Sequence, residues 1–450
     1  MQFPYGLQIL GIIAALQATA ADWPRFLGAT LDSISPETGL IERVPEKGLP
    51  VVFDLETGTG YAPPSLVGNQ LFLFHRLGTE EILEAWETPS AKLLWKHTQP
   101  TRYRDPYGYN DGPRCAPLIA EDRVITFGAE GLLTCVDKTT GRRLWQRDTA
   151  KDFKVPEAFF GVGSGPLLES GRLLVMVGGQ PDSTVVAFDL KEGRTLWESV
   201  GSKNWTGRPM LGWPGDRTVA WQEWDKTASY ASLIPAVMKG QRVVHALTRQ
   251  GLVVLNPTNG AVHFSRWFRA QVNESVNATT PLVFGEDVLI SSAYYRAGSV
   301  LLRPHSSLSQ FTEVWKGTGL EMHWSQPIKL GGHLYGFSGR NEPDALFRCV
   351  DYATGKIAWE RIERWAPHSS EQPPVFGRGS LLLADGRLFA LGEGGLLGLF
   401  RPTAEQCEEL GRWQVPSLKF PCWAGPVLSD GRLYIKSERR LVCLDVRKAK

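Results

Sequence analysis

The stretch that decides the fold reads AEGLLTCVDKTTGRRLWQRD and runs from Ala129 to Asp148. It contains a turn, a short apolar run ending in Asp, a second turn that ends in Gly, and a run that reaches a Trp. Nearly the same pattern returns as VVAFDLKEGRTLWES from Val185 and as LFRCVDYATGKIAWER from Leu346. Such recurrence indicates a repeat architecture, in which each unit buries its apolar face against its neighbours.

The repeat extends over most of the chain. Each unit is marked by a residue, usually Pro, that comes at the start of an apolar run, and successive markers are 46 to 69 residues apart. The markers are Pro64, Pro117, Pro166, Pro235, Pro281, Pro327, Ser380 and Pro426. Turn residues between short β-branched and aromatic runs predict about four strands per unit, which is typical of a propeller blade. We therefore predict an all-β, eight-bladed β-propeller of four-stranded antiparallel blades. Seven blades is the alternative, because the unit that starts at Ser380 lacks the marker proline and matches the repeat pattern weakly, and the interval after Pro166 is long.

The two ends of the repeat region predict how the ring closes. The last unit stops at Asp445, before a fourth strand, and the apolar segment LPVVFDLE from Leu49 precedes the first marker. We expect this N-terminal strand to complete the last blade, because a closed ring leaves no open sheet edge.

The second turn of each unit carries a further pattern. An Asp or Asn begins the turn and a Gly ends it, as in residues 137–141, 189–193, 256–260 and 351–355. The polar side chain can cap backbone N–H groups of the turn, and Gly accepts a positive φ. An aromatic residue follows at the same distance from each turn, and we expect it to fill the wedge between neighbouring blades. These aromatic residues are Trp145, Trp197, Phe264 and Trp359, with Trp95 in the first unit.

Composition agrees with a turn-rich β protein, with 47 Gly, 30 Pro and a hydrophobic share of 42%. The net charge is +2 and both signs are mixed along the chain, which argues against a nucleic-acid-binding surface. Six cysteines occur without a CxxC motif, and Cys135, Cys349 and Cys443 share one repeat position. We interpret these three cysteines as small buried hydrophobic residues, and a Cys115–Cys135 disulfide within one blade is the alternative.

The N-terminus predicts export. An apolar run from Ile9 to Leu16 is followed by Ala18-Thr19-Ala20, a small-x-small cleavage pattern. We assign residues 1–21 to a signal peptide, 22–48 to an N-terminal extension and 49–450 to the propeller. An ordinary N-terminal helix is the alternative, because the usual positive residues are missing. The expected product is a periplasmic or secreted monomer without a transmembrane segment.

The D-x-x-T-G-x-x-x-W pattern resembles the repeat of β-propellers of the pyrroloquinoline-quinone (PQQ) type. This superfamily includes quinoprotein alcohol dehydrogenases and the propeller lipoprotein of the outer-membrane assembly machine. The stretches DWPRFLGATLDSISPETGL from Asp22 and AGPVLSDGRLYIKSERRLVCLD from Ala424 are similar to secreted bacterial members without assigned activity. The resemblance implies the fold; it does not imply cofactor binding, because many members keep the blades without the quinone site.

A quinoprotein dehydrogenase of this kind would need a vicinal cysteine pair, oxygen ligands for Ca²⁺ and a catalytic Asp. This sequence has no vicinal cysteine pair and no Asp-rich calcium loop. It also lacks HExxH, Walker and G-x-S-x-G motifs. We therefore expect that the protein binds neither a cofactor nor a metal. We expect it to be a non-catalytic scaffold or ligand-binding module. The alternative is a PQQ-dependent oxidoreductase acting on alcohols or sugars, with PQQ and calcium bound.

Residues just before each first strand surround the central channel of a propeller, and such a ring is the default place for a ligand. Here they include Tyr61, Arg114, Ser164, Ser232, Asn277, His323, Trp324, His368 and Trp423. Their other interpretation is that they satisfy backbone groups and water between blades. The loop RYRDPYGYNDGPR from Arg102 leads to the same face, as a lid or as a connection. The expected partner is an envelope protein or a small-molecule or carbohydrate ligand, and not a nucleic acid.

Overall fold

The computed structural model of the chain describes residues 21–156, 160–205, 228–270, 275–340, 346–361 and 374–449. Within these residues, 32 strands form eight four-stranded antiparallel sheets. Helical structure in the same residues comprises one turn, α1 (Thr149–Asp152), and two 3-10 turns at Ser202–Asn204 and Tyr294–Arg296. The chain is an eight-bladed β-propeller, which confirms the predicted fold and rules out seven blades.

In blades 1 to 7 the strands follow chain order from the channel outwards. Blade 1 consists of β2 (Ser65–Val67), β3 (Gln70–Leu77), β4 (Glu80–Glu87) and β5 (Lys92–Pro100), and blade 2 of β6 (Leu118–Ala120), β7 (Arg123–Phe127), β8 (Leu132–Asp137) and β9 (Arg143–Asp148). Blade 3 consists of β10 (Leu167–Glu169), β11 (Arg172–Gly179), β12 (Ser183–Asp189) and β13 (Thr195–Ser199), and blade 4 of β14 (Ile234–Met238), β15 (Gln241–Leu247), β16 (Gly251–Leu255) and β17 (Val262–Trp267). Blade 5 consists of β18 (Leu282–Phe284), β19 (Asp287–Ser292), β20 (Gly298–Pro304) and β21 (Phe311–Gly317), and blade 6 of β22 (Ile328–Leu330), β23 (His333–Ser338), β24 (Leu346–Asp351) and β25 (Ile357–Arg361). Blade 7 consists of β26 (Ser380–Ala384), β27 (Arg387–Leu391), β28 (Leu396–Pro402) and β29 (Cys407–Gln414).

Blade 8 joins the two ends of the ring. Its inner strands are β30 (Val427–Ser429), β31 (Arg432–Lys436) and β32 (Arg440–Asp445), and its outer strand is β1 (Val51–Glu56). β1 pairs antiparallel with β32, and Phe53 faces Cys443 across this pair. The N-terminal strand therefore completes the last blade, as predicted.

The repeat markers lie at the innermost strands. Six prolines directly precede these strands, and Ser380 is the first residue of β26. Pro235 differs, because it is the second residue of β14 and pairs with Val244. A proline is tolerated there because an innermost strand is the edge of its blade and one of its sides carries no ladder.

The Asp side chains cap the turns and the Trp side chains bridge neighbouring blades, as predicted. Asp137 Oδ1 accepts hydrogen bonds from the N–H groups of Thr139 and Thr140, at 3.1 and 2.8 Å. Trp145 on the outer strand β9 donates its Nε1–H to the carbonyl oxygen of Leu190 in blade 3, at 3.0 Å. Equivalent bonds reach the next blade from Trp95, Trp197, Trp315 and Trp359. Each indole thus combines apolar packing with a directed bond across a blade junction.

The cysteine pattern has a packing cause. Cys135 faces Trp145 across the β8–β9 pair, and Cys349 faces Trp359 in the same way. Ala85 and Ala187 occupy this position opposite Trp95 and Trp197. A small side chain leaves room for the indole at a directly opposed position. All six thiols are free, so the alternative Cys115–Cys135 disulfide is not formed.

The segment before β1 lies at the end of the propeller where the innermost strands finish. Trp23 forms an antiparallel bridge with Leu66 of blade 1, and Ile34 a parallel bridge with Leu383 of blade 7. The Glu37 carboxylate accepts hydrogen bonds from the N–H groups of Asp430 and Gly431 in blade 8, at 3.0 and 2.6 Å. The predicted signal peptide lies outside the described residues, apart from Ala21. Within the described residues, no helix is both long and apolar enough to cross a membrane.

Candidate functional site

A cavity of about 230 Å³ lies on the propeller axis. Its wall is formed by the segments that lead into the innermost strands, and every blade contributes to it. One residue from each blade in turn is Tyr61, Arg114, Gly163, Ser232, Ala278, Trp324, Arg378 and Trp423. Phe26 of the N-terminal segment also lines the cavity. The cavity therefore lies in the channel that the repeat pattern predicted.

Six of the residues singled out from the sequence line this cavity, namely Tyr61, Arg114, Ser232, His323, Trp324 and Trp423. Ser164 and Asn277 lie in the wall between lining residues and do not line it themselves. The Asn277 amide donates hydrogen bonds to the carbonyl oxygens of Thr248 and Phe268, at 2.9 and 2.8 Å. The Ser164 side chain is buried, and its Oγ has no hydrogen-bond partner among the described residues. His368 lies outside the described residues.

Aromatic rings from blades 1, 8, 6 and 5 form a continuous path in the wall. Tyr61 and Trp423 have ring centroids 4.9 Å apart, and Trp423 and Trp324 are separated by 5.1 Å. His323 lies 4.7 Å from Trp324 and 5.1 Å from Tyr294. All four pairs are tilted, with interplanar angles of 49 to 57°. These geometries lie within the range of favourable aromatic contacts, so the wall is apolar and well packed.

The loop that starts at Arg102 rims the mouth of the cavity. Tyr109 on this loop is 56% exposed, and its ring lies 6.2 Å from Trp423 and 5.7 Å from Phe160. Arg76 holds the loop through bonds from Nη1 to the carbonyl oxygens of Tyr103 and Asp111, at 2.7 and 2.8 Å. The loop is thus an anchored connection between blades 1 and 2 that places aromatic rings at the entrance.

Tyr230, four residues before strand β14, also lines the cavity and packs against a cluster that contains Val276 and Tyr294. Its hydroxyl oxygen accepts a hydrogen bond from the Phe160 N–H at 2.9 Å. A Cβ on Gly163 would lie 2.5 Å from the Tyr230 ring, so this glycine leaves the space that the ring occupies. Gly163 and Gly165 lie in the segment that leads into strand β10, and Gly163 serves this aromatic contact.

Arg378 is neutralised by a buried carboxylate. Glu393 is 1% exposed, and its Oε2 accepts hydrogen bonds from Arg378 Nη2 at 2.7 Å and from Trp423 Nε1 at 2.9 Å. The Arg378 guanidinium lies 4.8 Å from the Trp324 ring centroid and 5.4 Å from that of Trp423. The pair is therefore charge-assisted, and the cation stacks against two indoles.

Arg114 is neutralised in the same manner by Asp105. Its Nη2 donates to Asp105 Oδ2 at 2.7 Å, and the Asp105 side chain is fully buried. The same nitrogen donates to the carbonyl oxygen of Asn110 at 2.8 Å, while Nη1 donates to that of Gly112 at 2.7 Å. Arg114 is therefore fixed by the loop at the mouth and compensated by a carboxylate of that loop.

Burial shifts the pKa values of five further titratable groups of the wall away from neutral pH. Burial, with the positive field of Arg378 and Arg340, lowers the pKa of His323 to about 3. Burial raises the pKa of Tyr294 to about 12 and also raises the pKa values of Tyr61 and Tyr230. Burial likewise raises the pKa of the Cys115 thiol, so the reactive thiolate form is disfavoured. These groups do not supply an acid or base that titrates near neutral pH.

No cluster of three or more His, Cys, Asp or Glu side chains in the described parts of the chain could hold a metal ion. The lining residues that the sequence analysis did not single out include Arg378, Tyr230, Tyr294 and Phe26. Arg378 lies two residues before β26, so the rule that selected Trp423 could also have found it. Tyr294 comes from the turn between β19 and β20, and Phe26 comes from outside the repeat, so the repeat carried no signal for either.

Fold and site together define an eight-bladed β-propeller with an aromatic cavity on its axis. The family model described as outer membrane protein assembly factor BamB matches residues 79–361, more than half of the 450 residues. The chain belongs to this family of PQQ-like repeats.

Individual relatives are distant. A 1-butanol dehydrogenase (cytochrome c) from Thauera butanivorans is 24% identical over 212 residues, which are 46% of this chain and only 28% of that enzyme. The crystal structure of BamB from Moraxella catarrhalis has a TM-score of 0.55 at 13% identity, covering 89% of this chain and 99% of that chain. A quinohemoprotein alcohol dehydrogenase from Pseudomonas putida has a TM-score of 0.53 at 13% identity, covering 96% of this chain and 81% of that one. At these identities the structural likeness establishes the fold alone.

Proposed function

We propose that the chain is an exported, non-catalytic β-propeller that binds a small ligand in its axial cavity. The observation that carries the proposal is the cavity of about 230 Å³, to which all eight blades contribute and whose lining consists mainly of aromatic and small residues. Its volume is somewhat below the usual range for small-molecule sites, about 300 to 1,000 Å³, so only a small ligand would fit. Export rests on the sequence pattern of residues 1–21.

The absence of catalysis is proposed from the state of the polar groups. The charged residues that line the cavity within the described ranges are Asp105, Arg114 and Arg378, and each is held in an ion pair. A general acid or base works best with a pKa near the working pH. The shifted pKa values of His323 and Tyr294 lie far from pH 7, which supports binding without turnover.

Quinone-dependent oxidation of alcohols is the second candidate, because two of the relatives are alcohol dehydrogenases. The residues present do not fit a quinone held with Ca²⁺. The carboxylates at the cavity, Asp105 and Glu393, already serve Arg114 and Arg378, and calcium would need six to eight oxygen ligands. The sequence also lacks the vicinal cysteine pair. We therefore assign no catalytic step to such a group.

A scaffold role is compatible with the same cavity. The family description and the Moraxella catarrhalis protein both carry the name of an outer-membrane assembly factor. We propose that a partner of this chain is another envelope protein that contacts the rim around the exposed Tyr109. Cross-linking from a Tyr109 photo-reactive substitution in cells tests this part, and cross-links equal to those from an exposed position on strand β5 would contradict it.

Ligand binding is tested with the mature chain and a library of small molecules, by following thermal unfolding. Ala278→Trp fills the cavity, and Ala353→Trp places the same ring in an exposed turn as the matched control. Compounds that stabilise the wild type and Ala353→Trp but not Ala278→Trp support the proposal. Stabilisation that is equal in all three chains, or oxidation of alcohols after addition of PQQ and Ca²⁺, would contradict it.

A further inference from the structure

The charge distribution of the axial cavity narrows the class of ligand. Both arginines of the wall are paired within the protein: Arg114 with Asp105, and Arg378 with Glu393, with N–O distances of 2.7 Å in each pair. The two carboxylates have side-chain exposures of 0% and 1%. Neither pair leaves a net charge at the wall that an ionised ligand could neutralise.

An ionised ligand would therefore lose hydration without gaining a counter-charge from either lining arginine. Transfer of a carboxylate from water into an apolar enclosure is unfavourable unless a cation or several hydrogen-bond donors receive it. The imidazole of His323 does not supply a cation at pH 7, since burial and the nearby guanidinium groups of Arg378 and Arg340 hold its pKa at about 3. The cavity thus disfavours anions such as the tricarboxylate PQQ.

The aromatic lining of the cavity favours a ligand that is itself an apolar aromatic ring. The rings of Tyr61, Trp423, Trp324, Tyr294 and Tyr230 all line the cavity, and Trp423 lies 4.9 Å from Tyr61 and 5.1 Å from Trp324 between ring centroids. A planar aromatic ligand can pack against such rings in offset or edge-to-face geometry. A sugar would need many directed polar partners. Ser232 is the one serine among the described lining residues, and its Oγ already accepts a hydrogen bond from the Gly165 N–H at 3.1 Å.

Taking the proposed function as its premise, we infer that the axial cavity binds uncharged, planar aromatic molecules and discriminates against anionic ones of the same shape. The discrimination arises from the two internal ion pairs, which hold both wall arginines away from exogenous carboxylates.

Isothermal titration calorimetry at pH 7 with the mature chain tests this inference. The two probes are 2-naphthol and 2-naphthoate, which share one ring system and differ in charge; PQQ with Ca²⁺ is a third ligand. We expect 2-naphthol to bind at least about tenfold more tightly than 2-naphthoate, a difference of about one decade in Kd. The binding heat should be lost in Ala278→Trp and kept in Ala353→Trp.

The outcomes separate the ligand class from the existence of the site. Equal or tighter binding of 2-naphthoate or PQQ that is lost in Ala278→Trp would overturn the inference and leave the proposed ligand site standing. The inference would also be overturned if neither 2-naphthol nor 2-naphthoate binds while other library compounds bind to the wild type but not to Ala278→Trp. If no library compound binds in that manner, the proposed function fails together with the inference.

Discussion

The indole of Trp145 in blade 2 lies directly against Gly193 of blade 3. A Cβ on Gly193 would come within 2.6 Å of the Trp145 ring, and the Trp145 Nε1–H is bonded to Leu190 O at 3.0 Å. The glycine that ends each turn therefore has two causes: a positive φ, here 68°, and the close approach of the preceding blade's aromatic ring. The same relation joins Gly141 to Trp95, Gly260 to Trp197 and Gly355 to Trp315.

Replacing this glycine should destabilise the propeller more than its φ alone requires. Gly171 has nearly the same φ, 71°, and a Cβ added to it would have no neighbour within 4 Å, so Gly171→Ala is the matched control. We expect Gly171→Ala to lose about 1 kcal/mol of unfolding free energy and Gly193→Ala about 2 to 4 kcal/mol, because overpacking is added. Urea denaturation measures both values, and equal losses would contradict the packing explanation.

Lys436 should be essential to the junction between blade 8 and blade 1. The residue is 1% exposed, and its Nζ donates to the carbonyl oxygens of Gly60, Ser437 and Glu438, at 2.6, 3.0 and 3.0 Å. In Lys436→Met these acceptors lose their partner, so we expect a loss of about 2 to 4 kcal/mol of unfolding free energy. Lys356→Met, at an exposed position, should change stability by less than about 0.5 kcal/mol. A Lys436→Met chain as stable as this control would refute the role.

Two buried histidines should make stability depend on pH. Burial lowers the pKa of His245 to about 4 and that of His323 to about 3, against about 6.5 in an unfolded chain. Below pH 6.5 the unfolded state binds protons that the folded state does not, so the unfolding free energy falls as pH falls. At pH 5 each histidine should account for about 2 kcal/mol of this loss.

His245→Gln isolates one contribution. We expect its unfolding free energy to fall less between pH 7 and pH 5 than that of the wild type, by about 2 kcal/mol. His305→Gln, at an exposed position, should keep the wild-type slope. Guanidinium denaturation at the two pH values is the measurement, and a His245→Gln slope identical to the wild type would contradict the assignment.

Removing one internal counter-charge should change the ligand preference of the cavity. Asp105→Asn keeps a hydrogen-bond acceptor for Arg114 but leaves the guanidinium uncompensated. We expect affinity for 2-naphthoate to rise about tenfold, while affinity for 2-naphthol changes by less than about twofold. Asp122→Asn, which breaks the exposed pair with Arg123, is the matched control and should alter neither affinity. Calorimetry that shows no gain for Asp105→Asn would argue against charge compensation at this site.

Part of the site was predictable because of where the repeat places residues. Tyr61, Trp324 and Trp423 come just before innermost strands, and such positions face the channel in any propeller. Asn277 shares this position in the chain but lies in the wall, because side chains alternate along extended backbone and Val276 and Ala278 face the cavity. The strand pattern could not decide that alternation for segments that lie outside the strands.

The sequence by itself determined the repeat architecture, the closing role of the strand from Val51 to Glu56 and the aromatic residues between blades, and it favoured eight blades over seven. These features are encoded locally, by turn residues, β-propensity and a recurring spacing. Only the tertiary structure decided that Glu393 and Asp105 neutralise the wall arginines and that Phe26 reaches the cavity. Those contacts depend on how irregular loops and the N-terminal segment fold back onto the axis, where no repeat or periodicity specifies the partner.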